Sequence, residues 1–185
     1  DVDLARSLGE RWGVEVQFVN VSFDGLYDAL LADRFDIIIS ALPYDRTRTQ
    51  DVSYTQSYFN AGEVLLVREG GGIASVDDLN GKCVAVELGS EGHQQILLQV
   101  RNKGLELEIM TLQSSDELVL ACADSGVDAI ACDRVKALEL LSTCSGWYVV
   151  ESLTEEPYVI AVLPEAATLL EETDIALEAW LADGF

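Results

Sequence analysis

Residues 34–62 read RFDIIIS, then ALPYDRTRTQDVSYT, then QSYFNAG. The aliphatic run Ile37-Ile38-Ile39 ends in small residues, the pattern of a strand buried on both faces. A loop carrying Arg46 and Arg48 follows, then the adjacent aromatics Tyr58-Phe59 and a glycine turn. The whole chain has 11 Lys and Arg against 33 Asp and Glu. Against that background, two arginines just past the end of a buried strand point to an anion site. A guanidinium holds a carboxylate through two parallel hydrogen bonds, which a lysine cannot imitate. The same spacing also fits a solvated loop with two ordinary surface charges.

Working outward toward the N-terminus, Leu4, Ala5, Leu8 and Trp12 share a helical face with Gly13 as its stop. Val14–Val19 alternates Val14, Val16, Phe18 and predicts a strand. Leu26–Ala32 predicts a helix with Asp24 as its cap, and Phe35–Ser40 the buried strand. Beyond the arginine loop, Val64–Val67 predicts another strand, and REGGG at 68–72 predicts a linker.

The pattern then restarts. A capped turn at 75–82 leads into strands at Cys83–Leu88, Glu108–Leu112, Val127–Cys132 and Trp147–Val150. Helices over 93–103, Asp116–Asp124 and Val135–Leu141 alternate with them. Pro157–Leu163 is a last strand, followed by helices over 165–172 and 174–182. Short strands alternating with helices predict parallel sheets of α/β type, in two units: 1–67 with 156–185, and 68–155. A crossing at 68–72 and a return near 152–158 predict a hinged cleft. In such sheets ligands bind beyond the carboxyl ends of the strands, where helix N-termini point.

Hydrophobic residues make up 49 % of the 185, which excludes a disordered chain. No apolar stretch approaches the roughly 20 residues needed to span a bilayer. The first residues already resemble an amphipathic helix, the expectation for a processed or trimmed chain. A net charge of −22 argues against nucleic acid and anionic membranes as partners. The three lysines and acidic surface also fit adaptation to high salt. Cysteines at 83, 122, 132 and 144 contain no C-x-x-C pair, and His93 is the single histidine, which argues against structural zinc. One disulfide fits an exported protein, and spacing does not choose the pair. The expected topology puts Cys83, Cys122 and Cys144 near one end of a sheet and Cys132 at the other; all four also fit as buried thiols.

The candidate site gathers strand-end positions: Ser40 and Ala41 with Arg48, Glu87 to Glu91 around Gly89, and Cys132-Asp133, with Phe23 as an aromatic wall. The set suits a small zwitterion, Arg48 on a carboxylate and Asp133 on an ammonium group. Each also has a plain structural use: Asp133 as a helix N-cap, Phe23 as core, Glu87 as a solvated strand end. No G-x-S-x-G elbow, P-loop or dinucleotide fingerprint is present, and no cofactor is expected.

Read together, DVDLARSLGERWGVEVQFV, FDGLYDALLADRFDIIIS, the Arg48 loop running to YFNAG, LNGKCVAVELGS, GVDAIACD and LTEEPYVIAVL resemble the bacterial extracellular solute-binding proteins of family 3. These are polar amino-acid receptors of ABC transporters, and the resemblance spans nearly the whole chain. It implies a two-lobed periplasmic-binding-protein-like fold of type II, hinged by two crossing strands, lacking its opening strand and last helices. It also implies an extracytoplasmic monomer that hands a small polar solute to a membrane permease. Position by position, it implies Arg48 on an α-carboxylate, Asp133 on an α-amino group and Phe23 stacking on the ligand. Ser40 and Ala41 would line the site with backbone, and Glu87 and Ser90 would lie on the second lobe's contact loop. The chain departs from the pattern at Pro43, where the family has Thr or Ser, at Glu91, where a small hydroxyl residue is usual, and at Tyr44-Asp45-Arg46.

Two other readings use the same fold. One is the sensor domain of a membrane kinase or receptor channel, though residues 68–75 leave no room for a pore segment. The other is an enzyme such as a dehydratase or lytic transglycosylase, for which Glu87 is the candidate acid.

Overall fold

A computed structural model describes residues 1–183. Along the chain come α1 (Val2–Trp12), α2 (Leu26–Leu31), β1 (Ile37–Pro43), β2 (Ser53–Tyr54), β3 (Phe59–Asn60) and β4 (Glu63–Arg68). Next are β5 (Cys83–Glu87), α3 (Glu91–Lys103), β6 (Glu108–Leu112), α4 (Leu118–Ala123) and β7 (Ala129–Asp133). The chain continues with α5 (Arg134–Thr143), β8 (Trp147–Ser152), β9 (Pro157–Val162) and α6 (Ala167–Ala182). Short 3-10 turns punctuate the series at Phe23–Gly25, Arg46–Arg48, Val76–Leu79 and Ser115–Glu117.

The chain forms two units. The first comprises Asp1–Asn60 and the residues from Glu156 on; the second is Ala61–Glu155. The expected boundary at 67/68 thus moves to 60/61. The reason is that β4 pairs antiparallel with β7 and β8, so it belongs to the second sheet. The glycines expected as a linker form a turn inside that unit, with Gly71 N–H donating to Arg68 O (3.1 Å) and Glu69 N–H to Gly146 O (2.8 Å).

In the first unit β9 is the spine of the sheet. It pairs antiparallel with β1, β2 and β3, so the parallel arrangement expected here does not occur. Alternation sends Ile38, Leu42 and Ala161 to a face covered by Leu26 and Leu30 of α2. Ile37, Ile39 and Ile160 go to the other face, against Leu4 and Leu8 of α1 and Ala176 and Leu177 of α6. The last helix is continuous where two were expected. Thr173, at the expected break, is fully buried and its hydroxyl donates to Leu169 O (2.6 Å), four residues back.

Val14–Val19 is not a strand, although its alternation is genuine. Isolated alternation cannot hold a strand without a hydrogen-bonding neighbour. The segment instead forms one wall of a 610 Å³ cavity in the first unit, lined by Val14, Val16, Phe18, Ile37 and Ile39. Asp24 does not cap α2 either: it sits inside the 3-10 turn that leads into the helix.

The second unit has one five-stranded sheet, ordered β6-β5-β7-β4-β8. Here β5 runs parallel to β6 and β7, as expected, and β4 is antiparallel to both of its neighbours, β7 and β8. Both faces are covered. Val64, Leu66, Ala85 and Ile130 pack under α4 and α5. Leu65, Val67, Val84 and Val86 pack under Ile96 of α3. This double coverage explains why β4, β5 and β7 are apolar runs rather than alternating ones.

Candidate functional site

In the first unit, Arg48 closes the 3-10 turn that follows β1. Asp45 starts that turn, accepting from Thr47 Oγ1 (2.6 Å) and Thr47 N–H (2.8 Å). Those two hydrogen bonds hold the Asp45 carboxyl below its usual range. The Arg48 guanidinium carbon lies 5.1 Å from the centre of the Tyr27 ring, a cation–π contact worth about 0.5–1 kcal/mol. Tyr27 and Tyr54 share a hydroxyl hydrogen bond of 2.8 Å, and Tyr44 meets Tyr54 edge-on at 5.2 Å. Burial, and then the bond to Tyr27, push the Tyr54 phenol above its ordinary range, so this wall is neutral. Arg48 also approaches Asp51 at 3.7 Å, but its side chain is 43 % exposed and Asp51's 47 %. A pair that open contributes little, and the fork is accessible to another carboxylate.

Ser40 and Ala41 lie where β1 leaves its ladder. Ile38 pairs with Ala161 and Leu42 with Val159, so Ile39, Ser40 and Ala41 of β1 are set against Ile160 alone of β9. This bulge carries Ala41 at φ 44°, in the left-handed region that costs a non-glycine residue about 1 kcal/mol. Strain of this kind at a strand end re-aims backbone groups away from the sheet. Phe23 is 55 % exposed, so it is not core as its alternative reading had it.

The second unit gathers acidic residues of its own. Asp133 ends β7 and caps α5, its Oδ1 accepting from Lys136 N–H (2.9 Å). Ser90 caps α3, its Oγ accepting from His93 N–H (3.1 Å) and donating to Glu87 O (2.9 Å). Glu87, Ser90 and Asp133 line one small recess of 30 Å³, together with Glu63, Ser115 and Cys132. Glu91 does not reach in: it is exposed and accepts from Gln95 Nε2 (2.7 Å) along the helix surface.

Glu63 was not among the expected residues. It opens β4 directly opposite Asp133 in the register and is 9 % exposed. A Cβ on Gly92 would come within 2.7 Å of its Oε2, so the carboxylate lies under the first turn of α3. The available signal was a lone charge heading an otherwise apolar run, AGEVLLV. The field of the recess registers on Cys132, whose thiol is raised first by burial and then by the Asp133 and Glu63 charges. Among the described residues no group of three or more acidic, histidine or cysteine side chains is spaced to hold a metal ion. A recess of 30 Å³ has room for an ammonium-sized group.

The model of the bacterial extracellular solute-binding proteins, family 3, matches residues 1–185. The chain belongs to that family. Among its relatives is ABC transporter arginine-binding protein 1 of Escherichia coli (strain K12), 28 % identical over 190 residues, covering 100 % of this chain and 76 % of that protein. A solved second substrate binding domain from Streptococcus pneumoniae Canada MDR_19A is similar at 25 % identity and TM-score 0.75. That match covers 100 % of this chain and 84 % of the other. An ancestral cationic amino acid solute binding protein is similar at 29 % identity and TM-score 0.66, covering 99 % and 80 %. Family and neighbours together establish the α/β, type II class of fold. No described helix is long and apolar enough to cross a membrane.

Proposed function

We propose that this chain binds an α-amino acid, with a cationic side chain favoured, and presents it to the membrane permease of an ABC transporter. It does so outside the cytoplasm, in the periplasm or at the cell surface, as a monomer that binds its ligand without turning it over. The observation that carries the ligand class is the recess walled by Glu63, Glu87 and Asp133. Three carboxylates on one small space favour a positive group over a neutral or negative one. Within the first unit, considered by itself, Arg48 stands beside an aromatic wall, and its guanidinium suits a carboxylate. The arginine-binding and cationic-amino-acid-binding names of two relatives support the same class.

A thermal-shift and calorimetry series over arginine, lysine, histidine, glutamine and glutamate tests this reading. Basic amino acids should raise the melting temperature most, because a ligand bound only by the native state stabilises it. A clear preference for glutamate would sink the proposal.

Asp133→Asn separates binding from folding. Asparagine caps a helix as well as aspartate does, so the melting temperature should stay within about 2 °C. Loss of the charge-assisted bond, about 1.5–3 kcal/mol, should weaken an amine-bearing ligand roughly 10- to 100-fold. An unchanged dissociation constant would remove Asp133 from the site.

A further inference from the structure

Of the four cysteines, Cys122 and Cys144 meet. Cys122 lies in the last turn of α4 and Cys144 is the residue on which α5 ends. Both belong to the core on one face of the second sheet, and their thiols are within hydrogen-bonding reach of each other. The backbone at each site is pinned. Cys122 O accepts from Trp147 Nε1 (3.3 Å) and Arg68 Nη2 (3.2 Å), and Arg68 itself stacks on the Trp147 ring at 4.6 Å. Cys144 N–H donates to Leu140 O (2.7 Å).

The other two thiols are placed differently. Cys83 begins β5, where its N–H donates to Asp128 Oδ2 (3.0 Å), and Cys132 sits on the acidic recess at the far end of β7. Since Val84 pairs with Ala129, Cys83 and Cys132 are about four residues apart along the sheet, on the order of 13 Å. That is far beyond the reach of a disulfide.

We propose that Cys122 and Cys144 form a disulfide when the protein meets an oxidising environment. The family is extracellular, where such bonds form and persist. Cys144 is half-buried and Cys122 buried, so Cys144 is the entry point. Its thiolate attacks a small-molecule disulfide, forming a mixed disulfide and releasing one thiolate. The Cys122 thiolate then attacks the Cys144 sulfur, forming the protein bond and releasing the second thiolate. Two protein thiols are oxidised, one external disulfide is reduced to two thiols, and the protons pass to solvent or to the released thiolates. Burial and the Cys144 contact push the Cys122 thiol up to about 12, so the second step quickens as pH rises.

The test is to incubate the full chain with oxidised glutathione at mildly alkaline pH, then denature it and count thiols by alkylation and mass spectrometry. The expected result is loss of two of the four thiols with no glutathione adduct retained. A Cys83→Ser/Cys132→Ser variant should lose both of its thiols in the same way. Cys144→Ser, at a half-buried position that tolerates a hydroxyl, should form no intramolecular disulfide. Four titratable thiols after oxidation of the parent chain would overturn the proposal, and so would a disulfide that still forms in Cys144→Ser.

Discussion

Replacing Arg48 by alanine should weaken binding of any carboxylate ligand by at least about 100-fold, the loss of a bidentate charge-assisted pair. The fold should barely register the change. The Arg48–Asp51 pair is open to solvent, and the Tyr27–Tyr54 hydrogen bond does not pass through the guanidinium. Arg48→Lys should recover only part of the affinity, because an ammonium cannot form the two parallel bonds. Calorimetry on the parent and both variants decides the matter, with a decarboxylated amine as control. That control should bind all three alike, and a carboxylate ligand that did the same would remove Arg48 from the site.

The largest expected effect on stability comes from Gly62→Ala. A Cβ there would lie 2.2 Å from Thr154 O and 2.7 Å from Thr154 C, both main-chain atoms that cannot swing aside. Thr154 is also tied to the next residue, its Oγ1 accepting from Glu63 N–H (2.8 Å) while Leu153 and Thr154 N–H donate to Glu63 O (2.7 and 3.2 Å). Separating these strands should cost about 3 kcal/mol or more. That corresponds to a fall of roughly 6–12 °C in melting temperature for a chain of this size. A melting temperature within about 1 °C of the parent would show that the two strands part freely. Because Glu63 heads β4 beside this contact, ligand affinity should fall as well.

Much of the second unit was legible because its signals are local. β6 falls at Glu108–Leu112 as expected, and the runs that became β5 and β7 are apolar because both sheet faces are covered. Two misreadings share one cause, namely partners distant in sequence, and a third turns on a local bond. Val14–Val19 has the alternation of a strand, and among the described residues no strand pairs with it. The glycines at 70–72 fit a linker as well as a turn, and only the pairing of β4 with β7 and β8 decides between them. Thr173 reads as a weak helix position until its hydroxyl is seen bonding back to Leu169.

The site divides in the same way. Asp133 was legible as a helix N-cap at a strand end and Ser90 only as part of the turn around Gly89, and each proves to cap a helix while lining the recess. Glu63 escaped notice because a charge at the head of an apolar run reads as the strand's solvated start. Its burial depends on α3 lying over it.

The connectivity of the two units carries a consequence for how the chain is made. Residues 61–155 form one uninterrupted segment, whereas the sheet of the first unit is organised on β9, residues 157–162. During synthesis β1, β2 and β3 emerge well before their common partner β9, and the middle of the chain can fold before they pair with it. Residues 1–60 must then wait for β9, about a hundred residues further on. Nascent chains ending at residue 155 and followed by a linker long enough to clear the ribosome exit tunnel should therefore protect the second unit from proteolysis while leaving the first sixty residues open to cleavage.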